Sequence, residues 1–116
     1  MILILDTTPS AEQVEKMLGA LEVYIKLAVD VKKGIVAGGG GLHADCEAVL
    51  LENGSEQSDI WGADWLPVSK QVTFESLINI RPNQDNFSLE LQDKELRARI
   101  ETIVRRIFEG ETDKQP

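Results

Sequence analysis

Cysteine is almost missing from this chain: Cys46 is the single one among 116 residues. One thiol closes no internal disulfide and builds no Cys-rich zinc site, so the fold must be held by its core and the cytoplasm is the expected setting. Long apolar runs are lacking too. The opening stretch places five apolar residues before Asp6, too few for the core of a signal peptide and far too few to cross a bilayer, so no membrane partner is expected. Histidine occurs once, at His43, which leaves a single imidazole to serve any acid–base or metal-binding scheme. None of G-x-G-x-x-G, G-x-x-x-x-G-K-S/T or G-x-S-x-G is present, so no cofactor is expected and serine hydrolysis is disfavoured.

Basic charge is scarce and uneven. Twelve Lys and Arg stand against 20 Asp and Glu, a formal net charge of −8. Over most of such a surface a phosphate backbone is repelled, so nucleic acid is not expected as a partner. No Lys or Arg falls between Lys33 and Lys70, while Asp45, Glu47, Glu52, Glu56, Asp59 and Asp64 all lie inside that interval. The negative potential is expected to concentrate there.

What is present reads as one globular unit. Apolar residues make up 42% of the chain and charged residues 28%, an ordinary balance for a folded domain and unlike that of a disordered one. We expect a single α+β domain over residues 1–108 and a flexible polar tail over 109–116. Ile2 to Leu5 is a short β-prone run closed by Asp6-Thr7-Thr8-Pro9. Ser10 and Gln13 have capping-box spacing, and Val14, Met17, Leu18 and Leu21 then follow the helical period to about Leu21. From Ile25 the period changes to two, with Ile25, Leu27, Val29 and Val31 on one face of a strand. Lys32-Lys33-Gly34 turns this strand into Ile35-Val36-Ala37 as an antiparallel hairpin, with Gly34 at a positive φ.

Residues 42–52 fit either period, and Asn53-Gly54 at their end favours a helix. Ile60 to Leu66 and Val72 to Ile80 read as two more strands, the second presenting Phe74, Ser76, Ile78 and Ile80 on one face. Asp93 caps a last helix whose stripe is Leu96, Ile100, Ile103, Val104 and Ile107, with Glu95/Arg99 and Glu101/Arg105 as i,i+4 pairs. The order β-α-β-β-α-β-β-α implies a mostly antiparallel sheet with helices packed on one face, related to the ferredoxin-like plan.

Six groups of residues carry potential chemistry. His43, Asp45 and Glu47 would share a face in a strand, as a metal site of imidazole and carboxylates requires; in a helix only His43 and Glu47 would do so, and the acidic residues would simply meet the positive end of the helix. Gly38 to Gly41 offers backbone N–H groups to a phosphate, or serves only as a tight connection, the better reading with Asp45 and Glu47 so close. Arg81, Gln84 and Asn86, with Asn79 on the same strand face and Trp61 nearby, form the candidate ligand-binding set: a guanidinium for a carboxylate or phosphate, with amides beside it. The competing reading has Arg81 pairing with the acidic interval and the amides satisfying turn backbone. Trp61 and Trp65 share a strand face and suit the core, or else one of them lines a groove or an oligomer contact. Cys46 has no basic neighbour in sequence to activate it, and Arg97, Arg99, Arg105 and Arg106, interleaved with Glu95 and Glu101, suit a solvated face.

The segments Leu42-His43-Ala44-Asp45, Leu50-Leu51-Glu52-Asn53-Gly54-Ser55, Asp59-Ile60-Trp61-Gly62 and Ile78-Asn79-Ile80-Arg81-Pro82 resemble those of a family of small uncharacterised bacterial proteins, a domain of unknown function. The likeness spans roughly Ile2 to Phe108. It implies a folding unit and an intracellular bacterial setting, and supplies no activity or catalytic residue. Taken together, the residues favour a non-catalytic binding or regulatory module acting through protein contact, with a partner protein or by self-association as a homodimer. The alternative is a small enzyme or binding protein for an anionic metabolite, using Arg81, Gln84, Asn86 and His43.

Overall fold

The structure, a computed structural model, describes residues 1–19, 21 and 23–110. Five strands form one sheet in the order β1-β3-β2-β4-β5, every neighbour antiparallel: β1 (Leu3–Leu5), β2 (Ile25–Asp30), β3 (Ile35–Gly38), β4 (Ile60–Leu66) and β5 (Gln71–Thr73). Among the described residues three helices, α1 (Ala11–Leu18), α2 (His43–Glu52) and α3 (Lys94–Glu109), complete the α+β architecture.

Local signals set the elements. Ser10 and Gln13 make the reciprocal capping box at 3.1 and 2.9 Å, and Gly19 ends α1 at φ 46, short of the expected Leu21. Gly34, at φ 71, closes the β2–β3 hairpin, in which Asp30 faces Ile35. The buried Asp30 carboxylate braces that turn by accepting from Lys32 N and Lys33 N, both at 2.9 Å, and from Ser55 Oγ. Asp93 caps α3 by accepting from Glu95 N and Leu96 N.

The helices do not share one face, which corrects the expected layering. Ile25, Leu27, Val29, Val36, Trp61, Ala63 and Trp65 point toward Met17 of α1 and Ile100, Ile103, Val104 and Ile107 of α3, while Ala28, Ala37 and Ile60 point the other way, toward Cys46 and Leu50 of α2. Handedness explains the split. Strand β1 reaches the parallel β2 across β3, and β3 reaches the parallel β4 across β2. Both crossovers step the same way along the sheet, but from strands of opposite polarity, so two right-handed connections must place their helices on opposite faces. In a ferredoxin-like sheet the second crossover would step back toward β1.

The second departure concerns residues 72–80. Only Gln71–Thr73 pairs with β4; the chain then leaves the sheet, and Leu77–Asn79 forms a short 3-10 turn capped by Ser76 Oγ, which accepts from Ile78 N. Phe74 therefore enters the α1/α3 core, Ser76 is buried against the opposite face, and Ile80 is exposed. At the other end of the chain, α3 includes Glu109, the first residue assigned to a tail, and residues 111–116 of that expected tail lie outside the described ones.

On the α2 face a row of small residues runs across the central strands, Ala37 opposite Ala28 and Ala28 opposite Gly62. It lets α2 and the Ser76–Asn79 turn lie close to the sheet. A Cβ on Gly62 would stand 2.6 Å from both Cβ and Oγ of Ser76. Gly62→Ala is therefore expected to lower stability by about 1–3 kcal/mol, measured by urea denaturation; a loss within about 0.5 kcal/mol, the usual range for changes at neutral sites, would show that the turn moves aside freely.

Candidate functional site

Strand β5 pairs only with Asp64, Trp65 and Leu66 of β4, so among the described residues the edge of β4 before Asp64 has no strand beside it. Buried backbone groups must be paired, and here side chains pair them. The fully buried Asn79 carboxamide accepts from Gly62 N at 2.8 Å and donates to Gly62 O and Phe74 O, each at 3.0 Å. It occupies the place a strand residue would take. Two residues on, the Arg81 guanidinium continues the seam: Nε donates to Ile78 O at 2.9 Å, Nη1 to Gln57 O at 2.8 Å and Gln84 Oε1 at 3.1 Å, and Nη2 to Ile60 O and, at 3.4 Å, to Glu47 Oε2.

A guanidinium has five N–H groups, and all are directed to atoms of the protein. Burial pushes the Arg81 pKa down, and the nearby Glu47 carboxylate draws it back up. The guanidinium carbon lies 4.4 Å from the centre of the Trp61 ring, so the cation covers an otherwise buried indole. Asn86 fastens the following loop: Nδ2 donates to Asn79 O, Ser88 O and Glu90 O, and Oδ1 accepts from Gln92 N. The guanidinium expected to hold an anion makes five hydrogen bonds to atoms of the protein, as in the competing reading in which Arg81 turns to the acidic interval through Glu47. Gln84 donates to Ser58 O, and Trp61, Asn79 and Asn86 are buried as parts of the packing.

The metal expectation fails for a different reason. Residues 43–52 are helical, so His43 and Glu47 share the buried face of α2 and Asp45 is exposed on another. Among the described residues no three His, Cys, Asp or Glu side chains converge to hold a metal. Glu47 turns to Arg81 and to Gln57 Nε2, each at 3.4 Å. His43 turns to the sheet: Nε2 lies 2.8 Å from Asp64 Oδ1 and 3.1 Å from Ala63 O. Both neighbours accept, so Nε2 carries the proton. Asp64 Oδ2 accepts in turn from Thr73 Oγ1 at 3.0 Å, completing a chain from α2 through β4 to β5.

Among the described residues, hollows open on this face. One, of about 280 Å³, lies beside the start of α2; Leu42, His43, Leu77, Ile78 and Leu89 line it, with Lys26 and Glu75 among its polar residues. Another, of about 410 Å³, is bordered by Glu47, Gln57, Arg81 and Gln84. Ile78 borders both. His43 and Arg81 thus occupy the same face but neighbouring hollows, while Trp61 packs into the core of the opposite face and meets the Arg81 guanidinium with its ring. Lys26, Asp64, Glu75 and Leu89 were not anticipated. The one available signal was Asp64, a carboxylate within the apolar run Ile60 to Leu66.

The remaining candidates are structural. Gly39, at φ 108, would bring a Cβ within 2.1 Å of Met1 O, and a Cβ on Gly38 would stand 2.7 Å from Leu27 Cδ2, whereas Gly41 faces open space; the glycine run is close-packed at its start and open at its end. Trp65 stacks on Phe108 with centroids 5.5 Å apart. Arg105 pairs with Glu101 at 2.8 Å, Arg106 donates to Gly34 O at 2.7 Å, and Arg97 lies over the Phe74 ring.

Comparison with known proteins places this geometry in a family. The chain belongs to the family described as Protein of unknown function (DUF5674). The match covers residues 3–107, so the seam along β4 and both hollows are parts of the DUF5674 domain. No curated protein matches the chain, and no solved structure does.

Two consequences are measurable. Asn79→Ala strands the N–H and C=O of Gly62 and the C=O of Phe74, and is expected to cost about 3 kcal/mol in urea denaturation; a loss below about 1 kcal/mol would mean that water replaces the amide. Burial raises the Cys46 pKa, so the folded chain holds the thiol proton more tightly than the unfolded one. The stabilisation is complete below the unfolded value of about 8.5 and is lost as pH rises through the folded value. Between pH ~7 and ~9.5, the melting temperature should fall more for the wild type than for Cys46→Ala; equal falls would contradict the assignment.

Proposed function

We propose that this DUF5674 domain is a non-catalytic binding module that engages a protein partner through the hollow beside the start of α2. The observation that carries this reading is the apolar lining and its rim: Leu42 is 59% exposed, Leu77 76% and Leu89 38%, all at one cavity. Large apolar side chains gathered at the mouth of an apolar depression suit contact with another macromolecule. The polar groups of the face are mostly engaged within the fold, which leaves apolar surface as the feature on offer.

A second reading, acid–base work on a small molecule in the same hollow, rests on the 2.8 Å pair of His43 and Asp64. An imidazole oriented through Nε2 by a carboxylate keeps Nδ1 to accept a proton.

Photo-crosslinking in cells separates the two. A benzophenone amino acid replacing Leu77 is expected to give protein adducts in excess over the same group replacing Arg99, an exposed position on α3. Adducts joining two copies of the chain would identify self-association. No adducts, or equal adducts at both positions, would overturn the protein-contact reading and favour the small-molecule one.

A further inference from the structure

Glu75 and Glu90 stand directly opposite one another on an isolated antiparallel bridge after β5. Ser76 N donates to Leu89 O at 3.0 Å and Leu91 N to Phe74 O at 3.1 Å, so the hydrogen bonds flank the pair instead of joining it. This is the narrow kind of antiparallel pair, in which facing Cα atoms are about 4.5 Å apart and the two side chains leave the same face close together. Two carboxylates in that relation repel each other. Both residues are exposed, and among the described residues neither takes part in an ion pair.

This uncompensated charge lies at the apolar hollow, since Glu75 lines it together with Leu77 and Leu89. Lys26 is the cation in the lining, but it faces Asp64 across the β2–β4 ladder, and its ammonium lies over the Tyr24 ring, 6.0 Å from the centroid. The hollow thus combines an apolar floor with the carboxylate of Glu75 in its lining and that of Glu90 directly opposite Glu75, and among the described residues neither has a salt-bridge partner.

We infer that the hollow receives an apolar side chain of a partner protein whose adjacent residues are Lys or Arg. The anchor fills the space between Leu42, Leu77 and Leu89, and the cation settles between Glu75 and Glu90, relieving their repulsion. The inference rests on the protein-contact reading and specifies the chemistry of the partner. The net charge of −8 favours the same choice, since it accelerates encounter with basic proteins and slows encounter with acidic ones. A second copy of this chain, equally acidic, is the poorer occupant.

Selection from a displayed library of random nonapeptides against the full chain tests the inference. Enriched peptides are expected to place Leu, Ile, Met or Phe within two positions of Lys or Arg. They should bind the Glu75→Gln/Glu90→Gln variant about tenfold more weakly at low salt, with the difference shrinking as salt screens it, and Leu77→Asp should abolish binding. Both sets of substitutions fall on exposed residues, and the melting temperature verifies that the variants remain folded. Enrichment of apolar peptides without basic residues, or unchanged affinity for the Glu75/Glu90 variant, overturns the inference while leaving the protein-contact reading standing. No enrichment dependent on Leu77 overturns it as well, and the Leu77 crosslinks then decide separately whether the underlying reading survives.

Discussion

A strand edge inside a folded chain presents N–H and C=O groups that must be paired, and water is excluded from much of this one. Between Ile60 and Ala63 the outer edge of β4 receives no strand among the described residues. Its partners are the carboxamide of Asn79 and the guanidinium of Arg81. The position of everything after β5 follows from this substitution. For Asn79 to reach Gly62, residues 74–79 must fold over the α2 face instead of continuing in the sheet, and Gly62 must lack a side chain to admit Ser76. For Arg81 to reach Ile60 O, the chain must cross beside Glu47, which ties the turn to α2. The hollow at Leu42 and Leu77 is the space left between that turn and the first residues of α2.

Much of the scaffold was legible in the sequence because it rests on local rules. The Ser10/Gln13 box, the Gly34 hairpin, the Asp93 cap and the stripe from Leu96 to Ile107 are signals spanning a few residues, and each formed as read. The period-two pattern of Ile25 to Val31 correctly assigned a buried face but concealed a second buried face, because Ala28, Ala37 and Gly62 are too small to mark one. Small residues read as neutral in a pattern, yet they admit a helix. The side on which α2 lies depends on the direction of its crossover, and hence on strand order, which no local window contains.

The candidate site was legible in its members more than in their roles. Asn79, Arg81, Gln84 and Asn86 all belong to one polar seam; that their hydrogen bonds turn inward depended on β5 ending at Thr73. A strand continuing to Ile80 would have aimed the same side chains at solvent. His43 illustrates the same limit. Its sequence neighbours Asp45 and Glu47 offered carboxylates, but the 3.6-residue period turned one outward, and the register of β4 supplied Asp64 instead. The opposed Glu75 and Glu90 are separated by a loop whose path no periodicity describes.

Pairing a strand edge with side chains from a later segment also carries a consequence for the order of events during synthesis. Ile60 to Leu66 leaves the ribosome before Asn79 and Arg81 do, and in that interval it is a β-prone apolar run with two tryptophans and one bare edge, the kind of segment that templates aggregation. Once Asn79 folds back, the donor and acceptor of Gly62 are occupied, and an incoming strand finds no register there. The carboxamide thus completes the fold and also shuts the β4 edge to addition by a neighbouring chain.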